Sequence, residues 1–240
     1  MKRMLIIGMG EVGSAIFAVL ADKYMVYGYD PKLGTEYPEF KANVLHICIP
    51  YGNDYDFHLA VEQYQQELLE EGGLTIIHST VPIGTCNKLG AVHSPVRGKH
   101  PDLTGGVKTF YKFFGGFRAL EAAQIFMDAG VKCITTPDAR NTEAMKLYDT
   151  TLYGLNIIAA KMIQKSCEDQ GLDFNVVYSL ANRSYNEGYA LLGMPQFTKY
   201  VIDPVPGPIG GHCVIPNAQL LKDEGDELGS WVVEMNEKLK

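Results

Sequence analysis

Short apolar runs alternate with longer mixed runs over the first half of the chain. The apolar runs predict strands at 3–8, 25–30, 42–50, 74–80, 91–96, 109–116 and 131–137. Between several of them the mixed runs AIFAVLADKY, DYDFHLAVEQYQQELLEEG and RALEAAQIFMDAG predict helices. Strands that alternate with helices at this spacing indicate a doubly wound, mainly parallel sheet, so we expect an α/β domain over residues 1–138.

The pattern changes near residue 139. Residues 139–171 contain no proline, and Met145, Leu152, Leu155 and Ile158 recur at helical spacing, which predicts one long helix. One or two more helices are predicted within 173–193, and a helical tail follows the irregular stretch IDPVPGPIGGHCVIP. We therefore expect an all-helical domain built on the long helix over residues 139–240.

Composition and charge exclude several classes of protein. The 240 residues are 46% hydrophobic and 20% charged, which is ordinary for a globular protein, and the formal net charge is -7. An acidic chain is repelled on average by nucleic acid and by anionic membranes. No run approaches the roughly 20 apolar residues of a membrane span, and glycines interrupt the N-terminal apolar run too early for a signal peptide.

The cysteines indicate a reducing compartment. Their number is five, they are dispersed, and no CxxC pair occurs. The histidines are scattered too, so no metal site is predicted. We expect uncrosslinked thiols in a cytoplasmic protein.

A glycine motif follows the first predicted strand. In GMGEVG, Gly8 allows the turn, Gly10 lets the backbone approach a pyrophosphate, and Gly13 lets helix and strand pack closely. The backbone N–H groups of Glu11 and Val12 would open the helix towards the phosphates. Asp30 ends the second strand, where its carboxylate suits ribose hydroxyls and repels a 2′-phosphate. These residues predict a Rossmann domain that binds NAD rather than NADP; the alternative is a glycine turn that binds nothing.

Seven motifs in order give the chain a family resemblance. They are IIGMGEVG, HICIP, HSTVPIGT, HSPVRGKHPDL, FFGG, EAMKLYDTTLYGLNI and PGPIGGHCVIP. With them the chain resembles the UDP-glucose/GDP-mannose dehydrogenase family, in particular its nucleotide-sugar 6-dehydrogenases. The resemblance covers nearly the whole chain and implies oxidation of an alcohol with NAD, and a homodimer formed through the long helix.

The resemblance also implies roles for individual residues. It assigns the nucleophilic thiol to Cys213, the catalytic lysine to Lys146, and the threonine of the STxP turn to Thr80. It adds Pro50 and Thr80 to the cofactor site. Implied substrate contacts are Thr150, Gly210, Gly211, His212 and Asn217. A thiol is readily activated near neutral pH, and an ammonium group stabilises a developing oxyanion. The alternatives are that Cys213 is a small side chain packed in a tight turn and Lys146 an exposed helix lysine.

The chain departs from the family pattern at three polar positions. Val96 replaces a glutamate, Thr150 an asparagine and Asn217 an aspartate. The missing carboxylates are the groups expected to assist proton transfer. The family's third, UDP-binding domain also has no counterpart, so a smaller or anionic substrate becomes plausible beside a nucleotide sugar.

Basic residues offer an anion site for such a substrate. Arg97, Lys99 and His100 form a compact loop that could hold a carboxylate or phosphate, or could be solvated surface. The motif NRSYNEGY places Arg183, Tyr185 and Asn186 near the expected site, and we interpret them as helix-surface residues.

We therefore expect an NAD-dependent oxidoreductase that acts on a CH–OH group with an altered site. One alternative is a two-electron dehydrogenase similar to 3-hydroxyacid dehydrogenases. Another is a non-catalytic NAD-binding or scaffold protein. A separate chain that supplies the missing domain is a complementary possibility.

Overall fold

The computed structural model describes residues 2–99 and 101–239. The chain divides into two compact units, Met1–Lys146 and Leu147–Lys240. The sequence placed the boundary at residue 138, eight residues earlier than the division within the long helix. The first turns of the long helix belong to the first unit because Thr142, Glu143 and Lys146 form hydrogen bonds with residues 93, 84 and 96.

The first unit contains a seven-stranded sheet within its described residues. The strand order is β2-β1-β3-β4-β5-β6-β7. All neighbours are parallel except β5 and β6, which are antiparallel. The strands are β1 (Arg3–Ile7), β2 (Met25–Tyr29), β3 (Ala42–Ile47), β4 (Leu69–Ile77), β5 (Val92–His93), β6 (Lys112–Gly115) and β7 (Cys133–Thr136). The predicted α/β fold class is confirmed.

Helices connect these strands and cover both faces of the sheet. They are α1 (Glu11–Leu20), α2 (Asp54–Leu68), α3 (Thr85–Lys88), α4 (Leu103–Thr109) and α5 (Ala119–Asp128). Along β1, Met4 and Ile6 pack in one core cluster with residues of α1, α4 and α5, whereas Leu5 and Ile7 pack in the other with residues of α2 and α3. Burial on both faces explains the continuous apolar run of this strand.

Two local predictions differ from the structure. Strand β4 begins at Leu69 and not at residue 74, because Leu69 already pairs with Ala42 before a register shift precedes the Val44–Leu74 pair. Helix α4 was not predicted, since its sequence LTGGVKT carries two glycines. Its N-cap is Asp102, whose side chain accepts a hydrogen bond from the backbone N–H of Gly105.

The predicted long helix is present as α6 (Ala139–Gln170), which runs from the first unit into the second. It is followed by a π-helical turn at Asn175–Leu180, then α7 (Ala181–Leu191), α8 (Val214–Asp223) and α9 (Glu227–Glu237). Ile158 of α6 is buried with Ala218, Val232 and Val233 of α8 and α9. This second unit is helical, as the apolar periodicity predicted.

Candidate functional site

The glycine turn between β1 and α1 has the geometry that a bound dinucleotide requires. Gly8 adopts φ +91°, and a Cβ there would lie 2.8 Å from the carbonyl oxygen of Cys48. A Cβ on Gly13 would lie 1.9 Å from the oxygen of Gly8. Around the position of a Cβ on Gly10, by contrast, no atom lies within 4 Å. Larger side chains are therefore excluded at two positions, and at the third the backbone has open space in front of it.

Asp30 lies directly after β2 and stabilises the glycine turn. One carboxylate oxygen accepts a hydrogen bond from the backbone N–H of Met9 at 2.8 Å, and the other accepts from Lys32 N–H at 2.9 Å. A carboxylate has about four acceptor positions, so capacity remains for the hydroxyls of a ribose.

The turn lies where the strand order reverses. The chain leaves β1 for β2 on one side, and β3 lies on the other side. Ligands of doubly wound sheets bind at this point, beyond the carboxyl ends of the strands. Pro50 is exposed three residues after β3 ends. Together with the N-terminus of α1, which carries Glu11 and Val12, these residues fit a dinucleotide.

The segment STVPIGT, which carries Thr80, is fixed at several points. The Ser79 hydroxyl donates to the carbonyl of Ile49 at 2.5 Å. The fully buried carboxylate of Glu143 accepts hydrogen bonds from the N–H groups of Gly84 at 2.6 Å and Cys86 at 2.8 Å. Thr80 itself is half-buried. Glu143 was not singled out from the sequence, although it lies one turn before Lys146 in the motif EAMK.

Lys146 is half-buried, and its Nζ donates to the carbonyl oxygen of Val96 at 2.9 Å. The predicted catalytic lysine is therefore held by a carbonyl and is not a freely solvated surface lysine. Val96, at the family's glutamate position, is 7% exposed and belongs to the core cluster that contains Leu103 and Val107. The departure at residue 96 thus places an apolar side chain in the core.

A second lysine, missed in the sequence, is buried next to the same segment. Lys112 Nζ donates to the carbonyls of Ser94 at 3.0 Å and Pro95 at 3.3 Å. It also lies 5.6 Å and 5.2 Å from the ring centres of Phe114 and Phe126. Burial lowers the pKa of Lys112 to about 7, and the positive charge of Lys146 acts in the same direction. The signal in the sequence was the alternation in β6, which puts Lys112 on the same face as the buried Phe114.

Three buried histidines, His46, His78 and His93, lie near Lys112. His78 Nδ1 lies 2.7 Å from the Ser94 carbonyl, which can only accept, so this nitrogen carries the hydrogen. His78 Nε2 then accepts from His46 Nδ1 at 3.0 Å. Burial, and secondarily Lys112, lowers the pKa of His46 to about 3. The buried His46 Nε2 has no hydrogen-bond partner among the described residues.

His93 links β5 to the start of α6. Its Nδ1 lies 2.9 Å from the Thr142 hydroxyl and its Nε2 lies 3.2 Å from the Ser79 carbonyl. Burial lowers the pKa of His93 to about 3, so the ring is neutral near neutral pH. The neutral ring carries one hydrogen, which Nε2 donates to the Ser79 carbonyl because that oxygen can only accept. Nδ1 is then an acceptor, and it competes with the Ala139 carbonyl, 2.9 Å from Thr142 Oγ1, for the single hydrogen of the Thr142 hydroxyl.

Two residues of the basic loop, Arg97 and Lys99, contact other residues of the first unit. The Arg97 guanidinium lies 5.7 Å from the ring centre of Phe110 and is half-buried. Lys99 is exposed, and its backbone pairs with that of Asp102 in a single antiparallel β-bridge. His100 lies outside the described residues. The anion-binding role of Arg97 and Lys99 stays a prediction.

In the second unit, two of the departures from the family pattern bind each other. The buried Asn217 amide donates from Nδ2 to the Thr150 hydroxyl oxygen at 2.9 Å. The Thr150 hydroxyl in turn donates to the Leu147 carbonyl at 3.1 Å. The structure therefore brings Thr150 and Asn217 together as a pair that joins α6 to α8.

Cys213 lies immediately before α8 and is half-buried. Of the residues that precede it, Gly210, Gly211 and His212 are exposed, and Gly211 adopts φ +83°. None of the five cysteines forms a disulfide. Burial raises the pKa of Cys86 well above its ordinary value, and that of Cys48 to about 12, so both thiols stay protonated and are weak nucleophiles near neutral pH.

The motif NRSYNEGY lies on α7 and contacts the segment that follows it. Asn186 exchanges two hydrogen bonds with the backbone of Lys199, at 2.9 Å and 2.8 Å. Lys199 Nζ lies 3.8 Å from the ring centre of Tyr185, and Arg183 lies 3.5 Å from Asp203. The interpretation as helix-surface residues therefore agrees with their contacts.

No group of three or more histidine, cysteine, aspartate or glutamate side chains among the described residues is arranged to hold a metal ion. No helix in that part of the chain is long and apolar enough to cross a membrane.

Known proteins similar to this chain are dehydrogenases. UDP-N-acetyl-D-mannosamine dehydrogenase of Escherichia coli K12 is 26% identical over 212 residues, which covers 73% of this chain and 46% of the relative. The chain thus spans about half the length of the curated relatives it matches. No protein-family profile matches it.

Solved structures show the same fold. The UDP-D-ManNAc dehydrogenase of Pyrococcus horikoshii superposes with a TM-score of 0.80 at 21% identity, covering 99% of this chain and 68% of that one. The 3-hydroxyisobutyrate dehydrogenase of Mycobacterium tuberculosis superposes with a TM-score of 0.69 at 17% identity, covering 99% and 93%. The chain is thus similar to UDP-sugar dehydrogenases in sequence and shares their Rossmann fold, which confirms the resemblance drawn from its motifs.

Proposed function

We propose that this protein is an NAD-dependent oxidoreductase that acts on a CH–OH group of a small or anionic substrate. The observation that carries the proposal is the Gly8–Gly13 turn at the switch point of the sheet, with Asp30 bound to its backbone. The relatives are dehydrogenases of nucleotide sugars, which supports oxidation of an alcohol. Because the chain covers about half of those relatives, the substrate of this protein remains a proposal.

NAD would supply the hydride acceptor. The residues of the first unit bind and orient it: the backbone of the glycine turn faces the pyrophosphate, and Asp30 accepts from ribose hydroxyls. Asp30 also favours NAD over NADP, because its carboxylate would repel a 2′-phosphate.

Lys146 is the residue proposed to polarise the substrate oxygen. Its ammonium group can stabilise the alkoxide that develops as the hydroxyl proton leaves. The hydrogen bond to the Val96 carbonyl restricts the side chain to one position and so reduces the entropy lost when substrate binds. Thr80, in the turn held by Glu143, is the proposed neighbour on the cofactor side.

A two-electron reaction is the second candidate, and one observation favours it. A four-electron oxidation ends with hydrolysis of a thioester at Cys213, a step helped by a carboxylate that activates water. Asn217 and Thr150 instead satisfy each other by a hydrogen bond. The fold shared with a 3-hydroxyisobutyrate dehydrogenase over 93% of that chain supports a small hydroxy acid as substrate.

The test measures NADH formation with a panel of UDP-sugars and small hydroxy acids, and counts the NADH molecules formed per substrate molecule consumed. One NADH per substrate supports the two-electron reaction, and two support oxidation to an acid through Cys213. Tight NAD binding without turnover on the whole panel would support the non-catalytic alternative.

The role of Lys146 is tested by substitution. Lys146→Ala should lower kcat by about 100-fold or more while the affinity for NAD changes little. Lys88→Ala, at an exposed lysine of the same unit, is the matched control and should leave both values unchanged. If Lys146→Ala loses NAD affinity in parallel with activity, the lysine is structural.

We also propose a homodimer formed through the helical unit. Along α6, Leu152, Tyr153 and Met162 are between 42% and 48% exposed. A helix that exposes large apolar side chains gains stability by packing against another surface. Sedimentation of the whole chain tests this, and a monomer at micromolar concentration would contradict it.

A further inference from the structure

The segment that leads to Cys213 is rich in residues that do not support regular structure. Residues 204–211 read PVPGPIGG, with three prolines and three glycines. Such a segment forms few backbone hydrogen bonds of its own, so its conformation depends on contacts from neighbouring elements. The position of the thiol that follows depends on the same contacts.

Lys161, on the long helix α6, makes two of these contacts. Its Nζ donates to the carbonyl oxygen of Val205, and to that of Gly207 at 2.7 Å. Gly207 adopts φ +80°, so the backbone turns at the residue that the lysine binds. Hydrogen bonds from an ammonium group are about twice as strong as those between neutral groups.

Other contacts extend this anchoring towards the thiol. The N–H of Ile209 donates to the side-chain oxygen of the buried Asn236 on α9 at 2.6 Å. Gly154, two turns before Lys161 on α6, approaches Val214 so closely that a Cβ would lie 2.6 Å from its side chain. The segment is therefore fixed to α6 both before and after Cys213.

Partial burial of the ammonium group agrees with a structural use of its charge. Lys161 is half-buried, and desolvation lowers its pKa. Four residues later, Lys165 lies on the same helix, is exposed, and forms an ion pair with Asp169 at 3.0 Å. The two lysines thus differ in what they bind while sharing one helix.

We propose that Lys161 is a positioning residue for Cys213: by holding the carbonyls of Val205 and Gly207 it sets the conformation of the segment that presents the thiol. The proposal rests on the proposed function only in taking Cys213 as the reactive thiol. It assigns to Lys161 no contact with substrate or cofactor.

Alkylation of the native protein by iodoacetamide, measured on the separated peptides against pH, tests this without any substrate. Lys161→Met removes both hydrogen bonds to the segment, so the rate of alkylation of Cys213 should rise by about tenfold. Cys167 is buried on the same helix and serves as the internal reference, because loss of the whole fold would expose it too. Its rate should not change.

Two further variants separate positioning from general stability. Lys161→Arg keeps two donors and the charge, so the Cys213 rate and its pH profile should return towards those of the unsubstituted protein. Lys165→Met removes a neighbouring lysine of the same helix and should have no effect.

An unchanged Cys213 rate in Lys161→Met overturns the proposal, as does an equal rise at Cys213 and Cys167. If the methionine variant does not fold, Lys161→Gln is measured in the same way. If neither variant folds, Lys161 is required for the fold itself and the positioning role is wrong. Absence of dehydrogenase activity would contradict the proposed function and leave this result unaffected.

Discussion

The buried lysine of the first unit makes a prediction about stability against pH. Lys112 has an ordinary pKa of 10.5, and burial lowers it to about 7 in the folded protein. At about 1.36 kcal/mol per pKa unit, this fall corresponds to roughly 5 kcal/mol of penalty for burying the charged form. Hydrogen bonds to Ser94 and Pro95 and the two nearby phenylalanine rings favour the ammonium group, so this is an upper limit.

The direction of the effect follows from proton binding. Between pH 7 and 10.5 the unfolded chain holds a proton on Lys112 that the folded chain releases. The free energy of unfolding therefore rises with pH through this window, and the penalty is complete below pH 7 and absent above 10.5. Groups such as Cys48 and Tyr24, whose pKa values are raised to about 12, act in the opposite direction above pH 9. The contribution of Lys112 must therefore be isolated by comparison.

Lys112→Met provides the comparison, since methionine is close in length and carries no charge. Urea unfolding followed by far-UV circular dichroism at pH 7, 8, 9 and 10 gives the free energy of unfolding of both proteins. The unsubstituted protein should gain stability relative to the variant by roughly 3.5 kcal/mol between pH 7 and pH 10, because at pH 7 the folded lysine is half titrated and at pH 10 the unfolded one is still partly protonated. Lys108→Met, at an exposed lysine of α4, should give a curve parallel to the unsubstituted protein.

A constant difference between Lys112→Met and the unsubstituted protein from pH 7 to 10 would refute the reasoning. It would mean that Lys112 remains protonated in the folded state throughout. The carbonyls and aromatic rings would then outweigh the cost of burial.

Two further predictions concern the candidate site. Gly13→Ala places a Cβ against a backbone carbonyl and should destabilise the fold by about 2 kcal/mol or more, whereas Gly10→Ala should leave thermal stability unchanged and still weaken NAD binding. Calorimetric titration checks the second half: unaltered NAD affinity in Gly10→Ala would show that the turn does not approach the pyrophosphate. Thr150→Val should cost about 1–3 kcal/mol by leaving the buried Asn217 amide without its acceptor. A double-mutant cycle with Asn217→Leu should give a coupling of about 1 kcal/mol, and strictly additive losses would contradict the pairing.

Features that depend on local sequence were predictable. The glycine turn follows from residue types at fixed spacing, because only glycine fits φ +91° at Gly8 with a carbonyl so close. The long helix follows from its apolar period. The early start of β4 was not predictable in this way, since Leu69 is included through its pairing with Ala42, a residue 27 positions away.

The polar contacts of the site depend on distant parts of the chain. Thr150 and Asn217 are 67 positions apart, so the sequence shows two separate departures from the family pattern. The hydrogen bond between them depends on the packing of α8 against α6. The burial of Lys112 could have been predicted, because the alternation of β6 places its side chain on the core face. Residue type argues the other way, since lysines are almost never fully buried.

The altered positions bear on whether this is an active dehydrogenase or a relic. A substitution that leaves a buried polar group without a hydrogen-bond partner costs stability, so replacements that keep a partner preserve the local fold. Here the buried Asn217 amide finds its acceptor in Thr150, which is itself a departure, and Val96 packs into the core. The Thr150–Asn217 pair is therefore compatible with the specialised site that we propose. Under the proposed function, the absence of carboxylates at residues 96 and 217 favours the two-electron reaction, for which one NADH per substrate is the expected stoichiometry.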